Sequence, residues 1–369
     1  RTPATRHWLD SSGATCVWKE GSQNGGDSMP RLGAKTVRLR LRFLVIAVGL
    51  FLTAPHASFP ADKIRVATGG YSPSIPPYFT YAVPFLQKQD IEIEDIRMSS
   101  GSLSGQALSA GDVKLLLTTG AIALQANMAG GEMVIIAGVT HKLPYQIIGR
   151  PEIKTAADLK GKRVGISRFG SSSEWIVRLA LAKLGLDPDR DFAMVQAGGQ
   201  GERLAAMQSN AIQATQLAPP ISNNAVQKLG MRELMDVSKL DLTYPLQSII
   251  TTRSFLQSNR PLLKRFLTGL TTALHYYQAD PQSGIAFQAK QFKLAADQAE
   301  IGYRSSARVM HPDLRLPERP ELDLAMKEIA ARIEKARGMN PAELRAVDPS
   351  LRQELAKEGL FERLAPKNR

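Results

Sequence analysis

One unit of this chain occurs twice, and that repetition constrains the fold more than any other feature. Gln106-Ala-Leu-Ser-Ala-Gly111-Asp-Val-Lys-Leu-Leu-Leu is answered by Ala205-Ala-Met-Gln-Ser-Asn210-Ala-Ile-Gln-Ala-Thr-Gln. Each reads as a short helix, a Gly or Asn suited to a left-handed cap, and a strand. The alternating strand from Lys63 to Thr68 is echoed by Arg163 to Ser167 at a matching offset. Chance likeness between two αβ units is the bland alternative, because both obey the same local rules. The shared order (strand, serine-bearing loop, helix, cap, strand) favours two similar α/β lobes.

The second of these strands leads into the most informative loop. Arg163 to Ser167 alternates around Val164 and Ile166, Phe169-Gly170 breaks the strand, and Ser171 stands three residues before Glu174. That spacing predicts a capping box. The helix that follows puts Ile176, Leu179, Ala180 and Leu184 on one face, and Gly185 ends it. Free N–H groups and the helix dipole converge on such a serine loop, which makes it an anion site if a ligand is present. The plainer reading is that the serines only cap the helix.

Charge and cysteine usage narrow the function classes. The formal charge is +13, but residues 1–61 hold eight Lys/Arg and three Asp/Glu, leaving 39 against 31 in the remainder. Those are interspersed, without a basic block carrying aromatics, so nucleic acid is not expected as a partner. Arg31, Lys35, Arg38, Arg40 and Arg42 precede the apolar run Phe43 to Ala54, which gives way to small residues. Basic region, apolar core and small-residue end predict a signal peptide over residues 29–61, cut between Ala54 and Ala61. The run is shorter than the roughly 20 residues of a spanning helix, which disfavours a permanent anchor. Residues 1–28 lack apolar periodicity and are expected to be a non-native or disordered extension ahead of Met29. Cys16, the single cysteine, lies in that extension. The mature chain is therefore expected to lack disulfides, thiolate metal sites, cysteine nucleophiles and a lipidated cysteine, and to be free in the periplasm.

Enzyme signatures are missing. There is no phosphate loop and no Gly-x-Ser-x-Gly elbow, and Gly199-Gln-Gly201-Glu-Arg-Leu204 lacks the third small residue of a dinucleotide fingerprint. His141, His275 and His311 are too widely spaced to predict a metal cluster. No cofactor is expected. Further strands are read at Ile91 to Met98, Val113 to Leu117 and Met133 to Gly138, and from Pro261 onward the chain reads as helical. In one of those helices, read over Leu322 to Arg337, the charged residues Lys327, Glu328, Arg332 and Glu334 read as a solvated face.

Several segments together resemble one family. They are Leu143-Pro144-Tyr145, Asp158-Leu-Lys-Gly-Lys-Arg-Val-Gly165, Phe169-Gly-Ser-Ser172, Gly198-Gly-Gln200, Glu202-Arg-Leu-Ala-Ala-Met-Gln-Ser209 and Ala218-Pro-Pro220. The chain from Lys63 onward resembles the nitrate/sulfonate/taurine-type substrate-binding proteins of ABC importers, relatives of the thiamine-pyrimidine-precursor binding proteins. The resemblance implies an α/β fold of the type II periplasmic binding class: two lobes, two crossovers, a cleft between them and a helical C-terminal part. The crossovers are expected near Ile148 to Lys154 and Leu242 to Ser248. Lobe one would be residues 62–149 plus 246–369 and lobe two 150–245. Lys114 and Gln213 depart from the acidic residue often found at their positions in the family.

Such a protein would capture a small organic anion by closing its cleft and hand it to a permease in the inner membrane, acting as a monomer. Candidate ligand contacts in lobe one are Tyr71, Ser72, Ser100, Gly101, Ser102, Thr119 and Gly120. In lobe two they are Gly170, Ser171, Ser172, Gly199, Gln200, Pro219 and Tyr244, with Arg168 a candidate cation. A periplasmic sensor acting through a receptor is the alternative. The family's pyrimidine-synthase branch is disfavoured, since it needs a cysteine-rich loop.

Overall fold

A computed structural model describes residues 61–75, 78–240 and 242–365. The extension 1–28, the expected leader through Pro60 and Cys16 lie outside the described residues.

The first sheet begins with β1 (Asp62–Gly69), which pairs in parallel with β2 (Ile91–Met98) and β3 (Leu115–Thr118). Strand β10 (Thr243–Thr252) runs antiparallel between β3 and β4 (Met133–Lys142), giving the order β2-β1-β3-β10-β4. The second sheet repeats this plan. Strand β6 (Arg163–Ile166) pairs in parallel with β7 (Ala193–Gln196) and β8 (Ala214–Leu217). Strand β5 (Gln146–Gly149) runs antiparallel between β8 and β9 (Arg232–Asp236), giving β7-β6-β8-β5-β9. Each sheet thus borrows its fourth strand from the chain leaving the other.

The chain crosses between sheets at residues 143–145 and 237–242. Both crossings fall earlier than the expected segments. The reason is apolar: Ile147 and Ile148, and the run from Tyr244 to Thr251, are buried and enter a ladder at once instead of spanning a gap.

The repeated unit is visible in detail. Helix α1 (Tyr78–Gln87) joins β1 to β2, and α2 (Gly101–Ala110) joins β2 to β3. Helix α3 (Ala121–Met128) follows β3, α4 (Ser172–Lys183) follows β6, and α5 (Gln200–Gln208) and α6 (Ile221–Leu229) flank β8. Gly111 ends α2 at φ 81°, and Asn210, at φ 61°, ends the turn after α5. Each turn then feeds the same ladder bond, Lys114 N–H to the Arg65 carbonyl and Gln213 N–H to that of Arg163, both at 2.8 Å. Lys114 and Gln213 therefore enter their sheets at equivalent points.

Helices α7 (Arg253–Ser258), α8 (Arg260–Ala279), α9 (Pro281–Phe292), α10 (Ala296–Ala307), α11 (Arg319–Ala330), α12 (Ser350–Lys357) and α13 (Leu360–Leu364) complete the chain. Leu263, Phe266, Leu267, Leu270 and Leu274 form a helical stripe on α8 that packs with α1, where Phe79 meets Phe266 edge-on at 5.4 Å. In β3, Leu115 and Leu117 face that helical layer while Leu116 faces the other side with Ala121 and Ile135, the period of a sheet covered on both faces. Fully burying each such side chain is worth about 1.5–3 kcal/mol, so this two-sided packing contributes much of the stability of the lobe that carries these loops. Helix α11 stops at Ala330, short of the expected Arg337, and packs on β10 and α3. Among the described residues no helix is long and apolar enough to cross a membrane.

Candidate functional site

The loops at the C-terminal ends of β1 and β2 face the start of α5 across a cavity of about 440 Å³. Tyr71, Ser72, Arg97 and Phe292 line one side, and Gly199, Gln200, Gly201, Glu202 and Ile221 the other. Parallel strands aim their C-terminal loops at one edge, which is where open α/β sheets receive ligands.

Local chemistry fixes the lobe-one wall. The Tyr71 ring lies 6.4 Å from that of Phe292, and the Arg97 guanidinium sits 5.8 Å over the Tyr71 ring. With its amide oxygen turned toward the cation, Gln291 accepts from both terminal nitrogens of Arg97. Ser72 is buried and its hydroxyl has no protein partner, while its backbone exchanges two hydrogen bonds with Ile75. A buried hydroxyl without a partner calls for a water or a ligand.

Arg203 positions the opposite wall from behind. This buried guanidinium donates to the Gly198 carbonyl at 2.6 Å, the Thr215 hydroxyl at 2.9 Å and the Gln216 carbonyl at 3.0 Å. It thereby ties the turn before α5 to β8, and burial lowers its pKa to about 10. Gln200 accepts from the Ala218 N–H at 2.7 Å, so its side chain is a strut, and its backbone N–H opens α5. A side chain built on Gly201 would meet nothing within 4 Å, which leaves the helix start open to a ligand.

The other candidates gather in a second cluster, deeper between the lobes. Tyr244, fully buried on β10, stacks on Trp175 of α4 with centroids 4.1 Å apart and planes at 20°. Its hydroxyl accepts from the Thr119 hydroxyl at 3.3 Å and donates to Glu328. Arg332, just past α11, donates to Glu328 at 3.0 Å and to Glu174 of α4 at 3.1 Å. Glu174 also accepts from the Gly170 N–H at 2.7 Å and from Arg178 at 3.0 Å. Burial pushes the Tyr244 phenol well above its ordinary range and lifts Glu328 to about 7 against the pull of Arg332. The solvated face expected at Glu328 and Arg332 is therefore corrected: both point into the molecule, because α11 packs on β10.

The expected capping box is corrected too. Ser171 is the N-cap, but its hydroxyl donates to the Arg168 carbonyl at 2.6 Å and meets Ser167 and Ser173 at 2.9 Å each, instead of accepting from α4. Glu174 reaches back one residue further, to Gly170, whose φ of 78° bends the loop toward it. Ser172 is half-buried and makes no hydrogen bond through its hydroxyl, and Arg168 is exposed.

The remaining candidates do packing and capping work. Ser100 is the N-cap of α2, accepting from the Leu103 N–H at 3.3 Å, and Ser102 meets its hydroxyl at 3.3 Å. A side chain on Gly101 would strike Thr118 at 2.5 Å, and one on Gly120 would strike Ile135 and Pro245 at 2.9 Å. The Pro219 carbonyl accepts from the Ser74 hydroxyl across the lobes. Arg97 and Phe292 in the cavity, and Trp175, Glu174, Glu328 and Arg332 in the deeper cluster, are not among the residues the sequence singles out as ligand contacts. The i,i+4 spacing of Glu328 and Arg332 was the available signal, but spacing alone does not say which face is buried.

Known proteins agree on the class. A protein described as a binding protein in Brucella abortus (strain 2308) is 26% identical over 260 residues, covering 68% of this chain and 78% of that one. A protein described as aliphatic sulfonates-binding in Escherichia coli K12 is 26% identical over 259 residues with the same coverages. The alkanesulfonate-binding protein of Xanthomonas axonopodis pv. citri, solved bound to MOPS, superposes with a TM-score of 0.65 at 18% identity, covering 79% of this chain and all of that one. The fold is thus the two-lobed α/β arrangement of periplasmic binding proteins. The NMT1/THI5-like family profile matches residues 75–284, more than half of the chain, and the chain belongs to that family.

Proposed function

We propose that this protein is the solute-binding subunit of an ABC importer, exported to the periplasm, and that it captures a small organic anion and passes it to a permease. The reading rests above all on the cavity between the lobes, where Arg97, the unpartnered Ser72 hydroxyl and the open start of α5 converge. Three kinds of donor, with the one lining carboxylate, Glu202, exposed and bonded to the Gly199 N–H, suit an acceptor-rich group such as a sulfonate or carboxylate. Tyr71 and Phe292 supply an apolar wall for its organic part. A ligand touching Tyr71 and Ser72 on one side and Gly199 to Gly201 on the other binds the closed form better than the open one. It therefore shifts the hinge equilibrium toward closure. Closure is the signal that a permease would read. The relatives described as sulfonate-binding support this ligand class.

Native mass spectrometry of protein isolated without unfolding should reveal one small anionic molecule per chain. A thermal-shift screen of short alkanesulfonates and carboxylates should then find a stabilising ligand. Arg97→Ala should weaken that ligand roughly ten- to a hundredfold, the worth of one charge-assisted hydrogen bond. A screen with no hit, or a hit indifferent to Arg97→Ala, would contradict the reading.

A further inference from the structure

The deeper cluster joins the two lobes through the chain's own charges. Glu174 and Trp175 belong to α4, which packs on β6 and β8 of the second sheet. Arg332 and Glu328 follow from α11, which packs on β10 and α3 of the first. The ion pair between Arg332 and Glu174 therefore spans the lobes, at 3.1 Å, with 15% of the Arg332 side chain and 2% of the Glu174 side chain exposed. Beside it the stacked rings of Trp175 and Tyr244 span the same gap.

The position of Glu174 is distinctive. Its carboxylate takes the Gly170 N–H at the start of α4 and the Arg332 guanidinium from the opposite lobe. A helix N-terminus facing a cation across a cleft is the setting in which an anionic ligand would bridge two lobes. Here the bridging anion is part of the protein.

We infer that Glu174 is a built-in anion that positions the lobes: through Arg332 it latches the cleft shut without ligand and excludes a ligand's anionic group from the start of α4. The latch lowers the reorganisation that ligand binding must accomplish, because the closed form is already populated. It also confines anion recognition to the cavity at Arg97 and α5.

The inference rests on the two-lobe closure proposed above, but its test uses no ligand, so the two fail separately. In the full chain with Cys16→Ser, spin labels are placed at Gln87→Cys on α1 and Lys183→Cys at the end of α4, both exposed. Pulsed electron paramagnetic resonance then reads the distance between lobes. The unliganded protein should give one narrow, short distance. Glu174→Gln keeps an acceptor for Gly170 and loses the charge, and it should move most of the population to longer, broader distances. Arg332→Gln should do the same, whereas Arg319→Gln, which breaks an exposed pair with Asp323 on α11, should change nothing. Identical distributions for the unsubstituted protein, Glu174→Gln and Arg332→Gln would overturn the latch. So would an open unliganded protein.

Discussion

Two helices of the second lobe begin in the cleft, and they use the same backbone chemistry to different ends. At the start of α4 the Glu174 carboxylate accepts from Gly170, and at the start of α5 the Glu202 carboxylate accepts from Gly199. Glu174 is buried, held by Arg178 on its own helix and by Arg332 from the other lobe. Glu202 is exposed, and its helix opens onto a cavity of about 440 Å³ beside Arg97. A helix N-terminus in a cleft is thus not by itself a ligand site. What decides is whether the protein has already supplied the anion and a cation to hold it.

The largest effect that would separate the two ends comes from breaking the buried pair. Arg332→Met leaves Glu174 and Glu328 without their shared cation, and removing one partner of a buried ion pair costs about 3–5 kcal/mol. Urea unfolding should record that loss, while Glu202→Gln at the exposed end should cost less than about 1 kcal/mol. Equal costs at the two sites would erase the distinction drawn here.

A smaller effect is expected from pH. Burial lifts Glu328 from 4.5 in the unfolded chain to about 7 in the fold. Between those values the folded state binds the extra proton, so the contribution of Glu328 is complete below pH 4.5 and is lost as pH rises through 7. The raised pKa corresponds to roughly 3 kcal/mol across that range. Melting temperature followed from pH 5 to 8 should therefore fall less steeply in Glu328→Gln than in the unsubstituted protein. Parallel curves would place the titration elsewhere.

The smallest effects test the serine loop. Ser171→Ala removes a donor to the Arg168 carbonyl and a member of the Ser167–Ser173 cluster, and should cost about 1 kcal/mol. Ser172→Ala should stay within about 0.5 kcal/mol, since its hydroxyl has no hydrogen-bond partner. Chemical denaturation resolves that difference, and an equal or larger loss for Ser172→Ala would mean that the Ser172 hydroxyl, not the Ser171 cluster, holds the loop.

Local patterns carried most of the architecture. The Gly111 and Asn210 caps, the alternation of β1 and β6 and the stripe of α8 each follow from short-range rules, so their elements were legible. The doubled unit also signalled two lobes. What escaped were facts of tertiary assembly. Glu328 and Arg332 look like a solvated helix face until β10 covers them. Ser171 and Glu174 have capping-box spacing, yet a three-serine cluster and a cation from far along the chain redirect both side chains. Arg97 stands one residue before the end of an ordinary amphipathic strand, and nothing local shows that Tyr71, Phe292 and the start of α5 meet it. Cavity residues in such a fold come from loops distant in sequence, so single-segment reasoning names Tyr71, Ser72, Gly199 and Gln200 as candidates but not Arg97, which lines the same cavity.

The most direct measurement is a crystal structure of the complex with the stabilising anion found by the screen. The account predicts its charged group beside Arg97 and within about 3 Å of the Gln200 or Gly201 N–H, a normal charge-assisted hydrogen bond. Glu174 should still be paired to Arg332. An anion bound to the Gly170 N–H, with Glu174 displaced from Arg332, would contradict the account.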